Sequence, residues 1–172
     1  MIIKHIEDKT YEILKNVGIT KTSDIDVLKI ANYLDVDVQS AKLETDISGL
    51  FVIKENKAYI RYNATESEHR QRFTIAHELG HFILHKDTPL FVDKNEKIMF
   101  RNSQSTTGEL MKEREANAFA AALLMPKTFI EQEIYKISKE QDIITYLAEI
   151  FNVSSQAMSF RLSNLDYDLG LF

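Results

Sequence analysis

The stretch that decides the fold is RFTIAHELGHFILH, residues 72–85, in which three histidines recur at four-residue steps. Each residue of an α-helix advances by about 100°, so His77 and His81 share one face and Glu78 lies about 100° further round. The apolar residues of the stretch fall on the opposite side. We therefore predict a helix over about residues 67–85, with one face in the core and the other carrying chemistry.

The spacing of these three polar side chains is typical of a metal-dependent hydrolase. Histidines four residues apart can hold one cation through ring nitrogens at about 2.1 Å, and the glutamate between them can act as a general base on a water. The pentapeptide HExxH also arises by chance on solvated helix faces. Here the helix is otherwise apolar and uses histidine where solvation would favour lysine or glutamine. We predict that His77 and His81 bind Zn²⁺ and that Glu78 is the catalytic base.

A third ligand is expected from a second helix, predicted over about residues 109–124, which contains KEREANAFAAALLMP. This helix is apolar nearly all round, so a carboxylate at its beginning needs a partner or a cation. Glu113 and Glu115 compete for that role. Glu113 shares a helix face with Asn117, which resembles the ExxxD arrangement of gluzincin-type peptidases. We therefore prefer Glu113, and Glu115 stays open as the alternative.

His85 repeats the four-residue step but cannot be the third ligand. It lies eight residues from His77, roughly 12 Å along a straight helix, which is too far to share one ion. We expect a capping or surface histidine, with a contact to substrate or to a ligand as the alternative. If the site hydrolyses a peptide bond, a donor to the tetrahedral oxyanion is also needed. No pattern identifies it, and Tyr59, Tyr62 and His85 are its candidates.

Composition limits the possible functions. The 172 residues include 21 basic and 26 acidic side chains, a net charge of -5, which disfavours sequence-independent binding to nucleic acid or anionic membranes. There is no cysteine, which excludes a thiolate metal site and a cysteine nucleophile. The first residues show no apolar signal segment, and no run reaches the roughly 18 apolar residues of a membrane span. We expect a soluble, cytoplasmic protein without a membrane partner.

The first 38 residues predict two helices. Gly18 ends the first, and the second, within SDIDVLKIANYLDV, begins at a capping Ser23 or Asp24.

In the middle of the chain the spacing of apolar residues changes from that of a helix to that of a strand. GLFVIKENKAYIRYN alternates on both sides of a polar pair, which predicts a β-hairpin with strands near 49–54 and 57–62. Residues 86–108 form a connection too long for a simple loop, and connections of that length are usually functional or mobile.

Near the C-terminus, residues 144–162, ITYLAEIFNVSSQAMSFRL, predict a helix-turn-helix with Asn152 at the turn and Met158 in its core. Taken alone, this pattern supports a DNA-binding regulator. Charge argues against it, because Arg161 is the one cation among residues 141–172, whereas binding phosphates requires several. Direct nucleic-acid binding is not expected, and a packing or partner-docking element is preferred.

Three blocks, RFTIAHELGHFILH, EREANAFAAALLMP and FNVSSQAMSFRL, resemble in order and spacing the ImmA/IrrE family of HExxH metallopeptidases, over roughly residues 45–165. The resemblance implies an α+β, zincin-like minimal metallopeptidase fold, with helices packed on a small twisted β-sheet and helix-turn-helix-like helices at the C-terminus. Residues 1–126 would form the N-terminal helices, the hairpin and the metallopeptidase core, and residues 127–172 a helical extension packed on it. One departure is Asn117, which stands where gluzincins have an aspartate.

The same resemblance implies a zinc-dependent endopeptidase that cleaves a helix-turn-helix transcriptional repressor in a site-limited way and so relieves repression. In that reading His77, His81 and Glu113 bind zinc and Glu78 is catalytic. Two alternatives stay open. One is a non-catalytic protein of the same fold that acts through partner binding, as an adaptor or a toxin–antitoxin component. The other is a DNA-binding regulator.

Overall fold

The computed structural model describes residues 2–86, 90–94, 107–138 and 141–167. Within these ranges the chain has the predicted α+β class, with seven α-helices, one short 3-10 turn and a four-stranded mixed sheet. The helices are α1 (Ile2–Val17), α2 (Val27–Tyr33), α3 (Glu68–Leu84), α4 (Thr107–Leu124), α5 (Lys127–Ile134), α6 (Ile143–Phe151) and α7 (Ser155–Asn164). The strands are β1 (Val36–Ala41), β2 (Ile47–Lys54), β3 (Lys57–Asn63) and β4 (Leu90–Lys94). None of the described helices combines the length and apolar character needed to cross a membrane.

The sheet has the order β1-β3-β2-β4, with β1 parallel to β3 and the other pairs antiparallel. The predicted β2–β3 hairpin is confirmed. Its turn residues Glu55 and Asn56 have φ values of 51° and 61°, both in the left-handed region, as in the type I′ turns that match strand twist. Phe51 and Ile60 pair across the hairpin and are fully buried. Helix α3 packs against these two strands.

The prediction for the second helix is wrong at both ends. α2 begins after Asp26, whose carboxylate accepts two backbone N–H groups of the first turn, and not at Ser23 or Asp24, which lie in the 3-10 turn. It ends at Tyr33, and Asp35, with a φ of 57°, turns the chain into β1. The alternation of apolar and polar residues in β1 is short, so the helical pattern before it led to the prediction of a longer helix. Its hydrogen bonds are made with β3, more than twenty residues away.

The prediction for residues 86–108 missed a strand. Residues 90–94 form β4, which pairs antiparallel with β2. The apolar run Leu90-Phe91-Val92 is a weak strand signal, and its pairing partner is about forty residues earlier in the chain. Most of the remaining residues of this long connection lie outside the described ranges.

Helix α3 also packs against α4, and Gly80 is the residue that allows the close approach. A Cβ added at Gly80 would lie 3.1 Å from the Cα of Ala116 and 3.2 Å from its carbonyl oxygen. Such distances are tighter than ordinary side-chain contacts, so a larger residue would push the helices apart. The Gly80–Ala116 contact therefore determines which residues of α4 face the histidines of α3.

The C-terminal helices α6 and α7 form the predicted helix-turn-helix. Asn152 adopts the left-handed conformation at the turn, with a φ of 50°, and Met158 is fully buried. Arg161 of α7 is only 4% exposed and forms two hydrogen bonds with the Glu7 carboxylate of α1, at 2.6 and 3.0 Å. Its Nε donates to the carbonyl of Met125 at 2.9 Å. The boundary between residues 126 and 127 stays a prediction, but these contacts join the two sides of it.

The Arg161→Ala variant should lower the free energy of unfolding by about 3 kcal/mol, because it leaves the half-buried Glu7 carboxylate without its cation. Urea titration followed by circular dichroism and by tyrosine fluorescence measures this change. The control is Lys21→Ala, which removes an exposed ion pair at 3.8 Å and should change stability by less than about 0.5 kcal/mol. One shifted transition is expected with both probes. Two separate transitions would show instead that residues 127–172 unfold as an independent domain.

Candidate metal centre

Helix α3 carries the three polar residues of the motif into the interior. His77, Glu78 and His81 are 3%, 0% and 1% exposed. The Nε2 atoms of the two histidines lie 3.0 Å apart, and their ring centroids are separated by 4.7 Å. The four-residue step thus brings two ring nitrogens to one point, as helix geometry predicts.

Helix α4 brings one carboxylate to the same point. The two Glu113 oxygens lie 3.2 Å from Nε2 of His77 and 3.3 Å from Nε2 of His81. One ligand atom from each of the three residues lies within 4.8 Å of the others, a grouping that could hold a metal ion. Glu115, the competing candidate, is not in this group. Its carboxylate instead lies 2.8 Å from Nε2 of His85.

Asn117 occupies the next turn of α4 and contacts the first histidine. The Nδ1 atom of His77 lies 2.9 Å from the Oδ1 atom of Asn117. When Nε2 is the coordinating atom, Nδ1–H donates to this amide oxygen, so a neutral amide here orients the ring as an aspartate would. Because Asn117 follows Ala116, its position depends on the same close contact of Ala116 with Gly80.

Electrostatics put the site in the protonation state that a metal requires. Burial lowers the pKa of His81 to about 4, although the hydrogen bond with Glu113 acts in the opposite direction. Burial alone would raise the pKa of Glu113, but hydrogen bonds with His77 and His81 outweigh it and lower that pKa to about 2. At neutral pH His81 is therefore neutral and Glu113 ionised, and metal ligands must be in these states. The donor set and its charge states fit a divalent metal.

Glu78 lies against strand β2 through a second glycine. A Cβ added at Gly49 would lie 2.4 Å from Cγ2 of Thr74 and 3.3 Å from Oε1 of Glu78. The first distance is one that real Cβ atoms do not reach, so only glycine lets β2 pass this close to α3. Gly49 was not identified from the sequence. Its only signal is a glycine inside a strand, which often marks a close approach.

His85 is buried, at 8% exposure, so the expectation of a surface histidine is wrong. It is the C-cap of α3, as the capping expectation states, and its backbone N–H donates to the carbonyl of His81 at 2.9 Å. Its side chain also contacts both His81 and Glu115. The geometry therefore agrees both with the capping expectation and with the alternative of a contact to a predicted metal ligand, His81.

For the two tyrosines considered as oxyanion donors, the structure shows contacts with residues other than the three predicted metal ligands. The ring of Tyr59 lies beneath the cations of Lys57 and Arg61, at 5.9 and 5.6 Å. Tyr62 lines a cavity of about 340 Å³ together with Arg72 and with residues at the turn between α6 and α7, among them Asn152. Neither residue is assigned as the donor.

Phe91 of β4 is a second residue of the site that sequence reasoning missed. Its ring stacks on that of His81, with centroids 3.8 Å apart and planes inclined by 17°. It also lies 5.8 Å from the ring of His85, and the Nζ atom of Lys112 lies 5.8 Å from its centroid. β4 thus covers one side of the histidine cluster.

Comparison with known proteins identifies a family. The family described as the IrrE N-terminal-like domain, a peptidase family, matches residues 31–163. The chain is 28% identical to Metallopeptidase ImmA of Bacillus subtilis over 167 residues, which are 94% of this chain and 86% of that protein. It is 31% identical to the Radiation response metalloprotease IrrE of Deinococcus radiodurans over 104 residues, 60% of this chain and 30% of that protein.

Among solved structures, one described as a Mycobacterium tuberculosis transcriptional regulator has a TM-score of 0.66 to this chain, at 17% identity. The match covers 93% of this chain and 46% of that one, so this chain spans about half the length of that structure. At this identity the likeness concerns the fold alone.

Proposed function

This chain belongs to the ImmA/IrrE family of metallopeptidases, and from that premise we propose that it is a zinc-dependent endopeptidase that cleaves a helix-turn-helix transcriptional repressor. The observation that carries the proposal is the convergence of His77, His81 and Glu113, with the buried carboxylate of Glu78 next to the first of them in the chain.

The proposed mechanism is metal-assisted peptide hydrolysis. His77 and His81 would hold the ion through Nε2, and Glu113 through a carboxylate oxygen, a nitrogen and oxygen donor set that suits zinc. When bound, zinc supplies Lewis-acid chemistry, which polarises the scissile carbonyl and makes water more acidic. Glu78 accepts the proton of the attacking water on a carboxylate oxygen and delivers it to the leaving amine nitrogen.

A basic protein substrate is supported by the charge of the C-terminal helices. Arg161, the single cation in the sequence from 141 to 172, is bound to Glu7 and so does not offset the acidic residues of this segment. Asp142, Glu149 and Asp166 of the same segment are exposed. Repressors that bind DNA carry basic patches, so this acidic surface would attract them.

The same observation weighs against the DNA-binding alternative. A reading helix needs exposed cations to contact phosphates, and the cation of α7 is enclosed between α1 and the end of α4. The adaptor alternative, which keeps the fold without hydrolysis, is separated from the proposal by the activity assay that follows.

We expect slow cleavage of a helix-turn-helix regulator at one or a few peptide bonds, and negligible digestion of casein. The rate should fall as ionic strength rises, because the Debye length shrinks from about 10 Å at 0.1 M to about 3 Å at 1 M salt. Mass spectrometry of timed digests measures both. Rapid digestion of casein, or a rate that is indifferent to salt, would contradict the docking model, and binding of the regulator without any cleavage would favour the adaptor.

A further inference from the structure

A chain of side-chain contacts leads away from the second histidine of the motif. Nδ1 of His81 lies 3.1 Å from Nδ1 of His85, and Nε2 of His85 lies 2.8 Å from Oε2 of Glu115. Nδ1 of His77, in contrast, lies 2.9 Å from the neutral amide of Asn117. The two histidines of the motif are therefore oriented by different means.

The chemistry of Glu115 determines the direction of these hydrogen bonds. A carboxylate can only accept, so His85 must donate to Glu115 through Nε2–H. The other nitrogen of a neutral imidazole is then an acceptor, and His85 accepts from Nδ1–H of His81. When an ion lies between Nε2 of His81 and the Glu113 carboxylate, the hydrogen of His81 is therefore on Nδ1 and the lone pair is on Nε2, the atom that faces Glu113.

Burial makes these contacts the main source of hydrogen bonds for Nδ1 of His81 and for both ring nitrogens of His85. The side chains of His81 and His85 are 1% and 5% exposed, whereas that of Glu115 is 26% exposed. Phe91 stacks on the His81 ring and approaches the His85 ring, which restricts the access of water to both. A buried N–H without a partner costs about 1–3 kcal/mol. This cost favours the single direction in which His81 donates to His85 and His85 donates to Glu115.

We propose that His85 and Glu115 are positioning residues, forming a relay that fixes His81 as the Nδ1–H tautomer with Nε2 directed at the metal. The inference rests on the proposed function, since it assigns the relay a role in holding the ion. It gives a role to the third histidine of HELGHFILH and to the second glutamate of KEREAN, neither of which is a ligand in the proposed site.

The first test measures zinc affinity by competition with a chelator. Glu115→Gln keeps the size of the side chain, but an amide can either accept from His85 or donate to it, so the direction is no longer imposed. We expect affinity to fall about 10- to 100-fold, and at least as much for His85→Leu. The controls are Glu12→Gln and His5→Leu, which make the same changes at exposed positions of α1 and should leave affinity unchanged.

The second test reads the tautomers directly, by long-range ¹H–¹⁵N correlation of the histidine rings in the zinc-loaded protein. The relay predicts Nδ1–H for His81 and Nε2–H for His85, with a mixture of forms at His85 in Glu115→Gln. Weaker binding without a change of tautomer would reduce Glu115 to a general charge effect and overturn the relay. Because this readout is independent of activity, it also separates orientation from loss of folding, which thermal melts of the metal-free variants monitor.

The two proposals fail in different ways. A wild-type protein that binds no zinc removes the proposed function and the relay with it. A wild-type protein that binds zinc, together with Glu115→Gln binding it equally well, removes the relay alone.

Discussion

Glu78→Gln is expected to lower the rate of repressor cleavage by about 1,000-fold while the protein keeps its fold and its zinc. The amide is nearly the same size as the carboxylate but cannot accept the proton of the attacking water. The change should also be tolerated structurally. Glu78 is fully buried beside Gly49, and Gln adds no bulk where a Cβ on that glycine would already lie 3.3 Å from Oε1.

The measurement compares single-turnover cleavage, zinc content and thermal melting for wild type and variant. Glu12→Gln, at an exposed position of α1, supplies the control for the change from acid to amide. A Glu78→Gln protein that cleaves at close to the wild-type rate would remove this residue from the mechanism. Equal loss of zinc and activity would instead make Glu78 part of the metal-holding group.

The second large effect concerns the third ligand. Wild-type protein should bind about one zinc ion per chain, as expected for a site of two histidines and one glutamate. Glu113→Ala removes the carboxylate that lies 3.2 and 3.3 Å from the two histidines, so its affinity should fall by more than the 10- to 100-fold typical of outer partners. His77→Ala should have an effect of the same kind.

Glu115→Ala is the matched comparison, because it makes the same change two residues further along α4. Its carboxylate reaches His85 and not the ligand nitrogens, so the loss of affinity should be smaller than for Glu113→Ala. Zinc content by elemental analysis and affinity by chelator competition measure both. Full zinc retention in Glu113→Ala, with loss in Glu115→Ala, would reverse the assignment.

Long elements with a strong period were predicted well. The helices that carry the site and the β2–β3 hairpin lie within a few residues of their predicted bounds, since each has its own hydrogen bonds and its own apolar face. The two outer strands were missed. β1 and β4 are short, and each pairs with a strand distant in sequence, so their hydrogen-bond partners could not be inferred from local pattern.

The sequence by itself determined what lies within one helix. The four-residue step places His77 and His81 together and Glu78 about 100° away, because backbone geometry is the same in every α-helix. These relations needed no knowledge of the rest of the chain, and the observed 3.0 Å between the Nε2 atoms agrees with them.

Only the tertiary structure decided which residues of other elements meet this helix. Glu113 and Glu115 lie two residues apart on one helix, and the contact of Gly80 with Ala116 sends the first to His77 and His81 and the second to His85. Phe91 reaches the cluster only because β4 pairs with β2. Such choices depend on how packed surfaces fit in three dimensions, because Glu113 and Glu115 lie about 200° apart on α4 and the rotation of that helix against α3 decides which of them faces the two histidines.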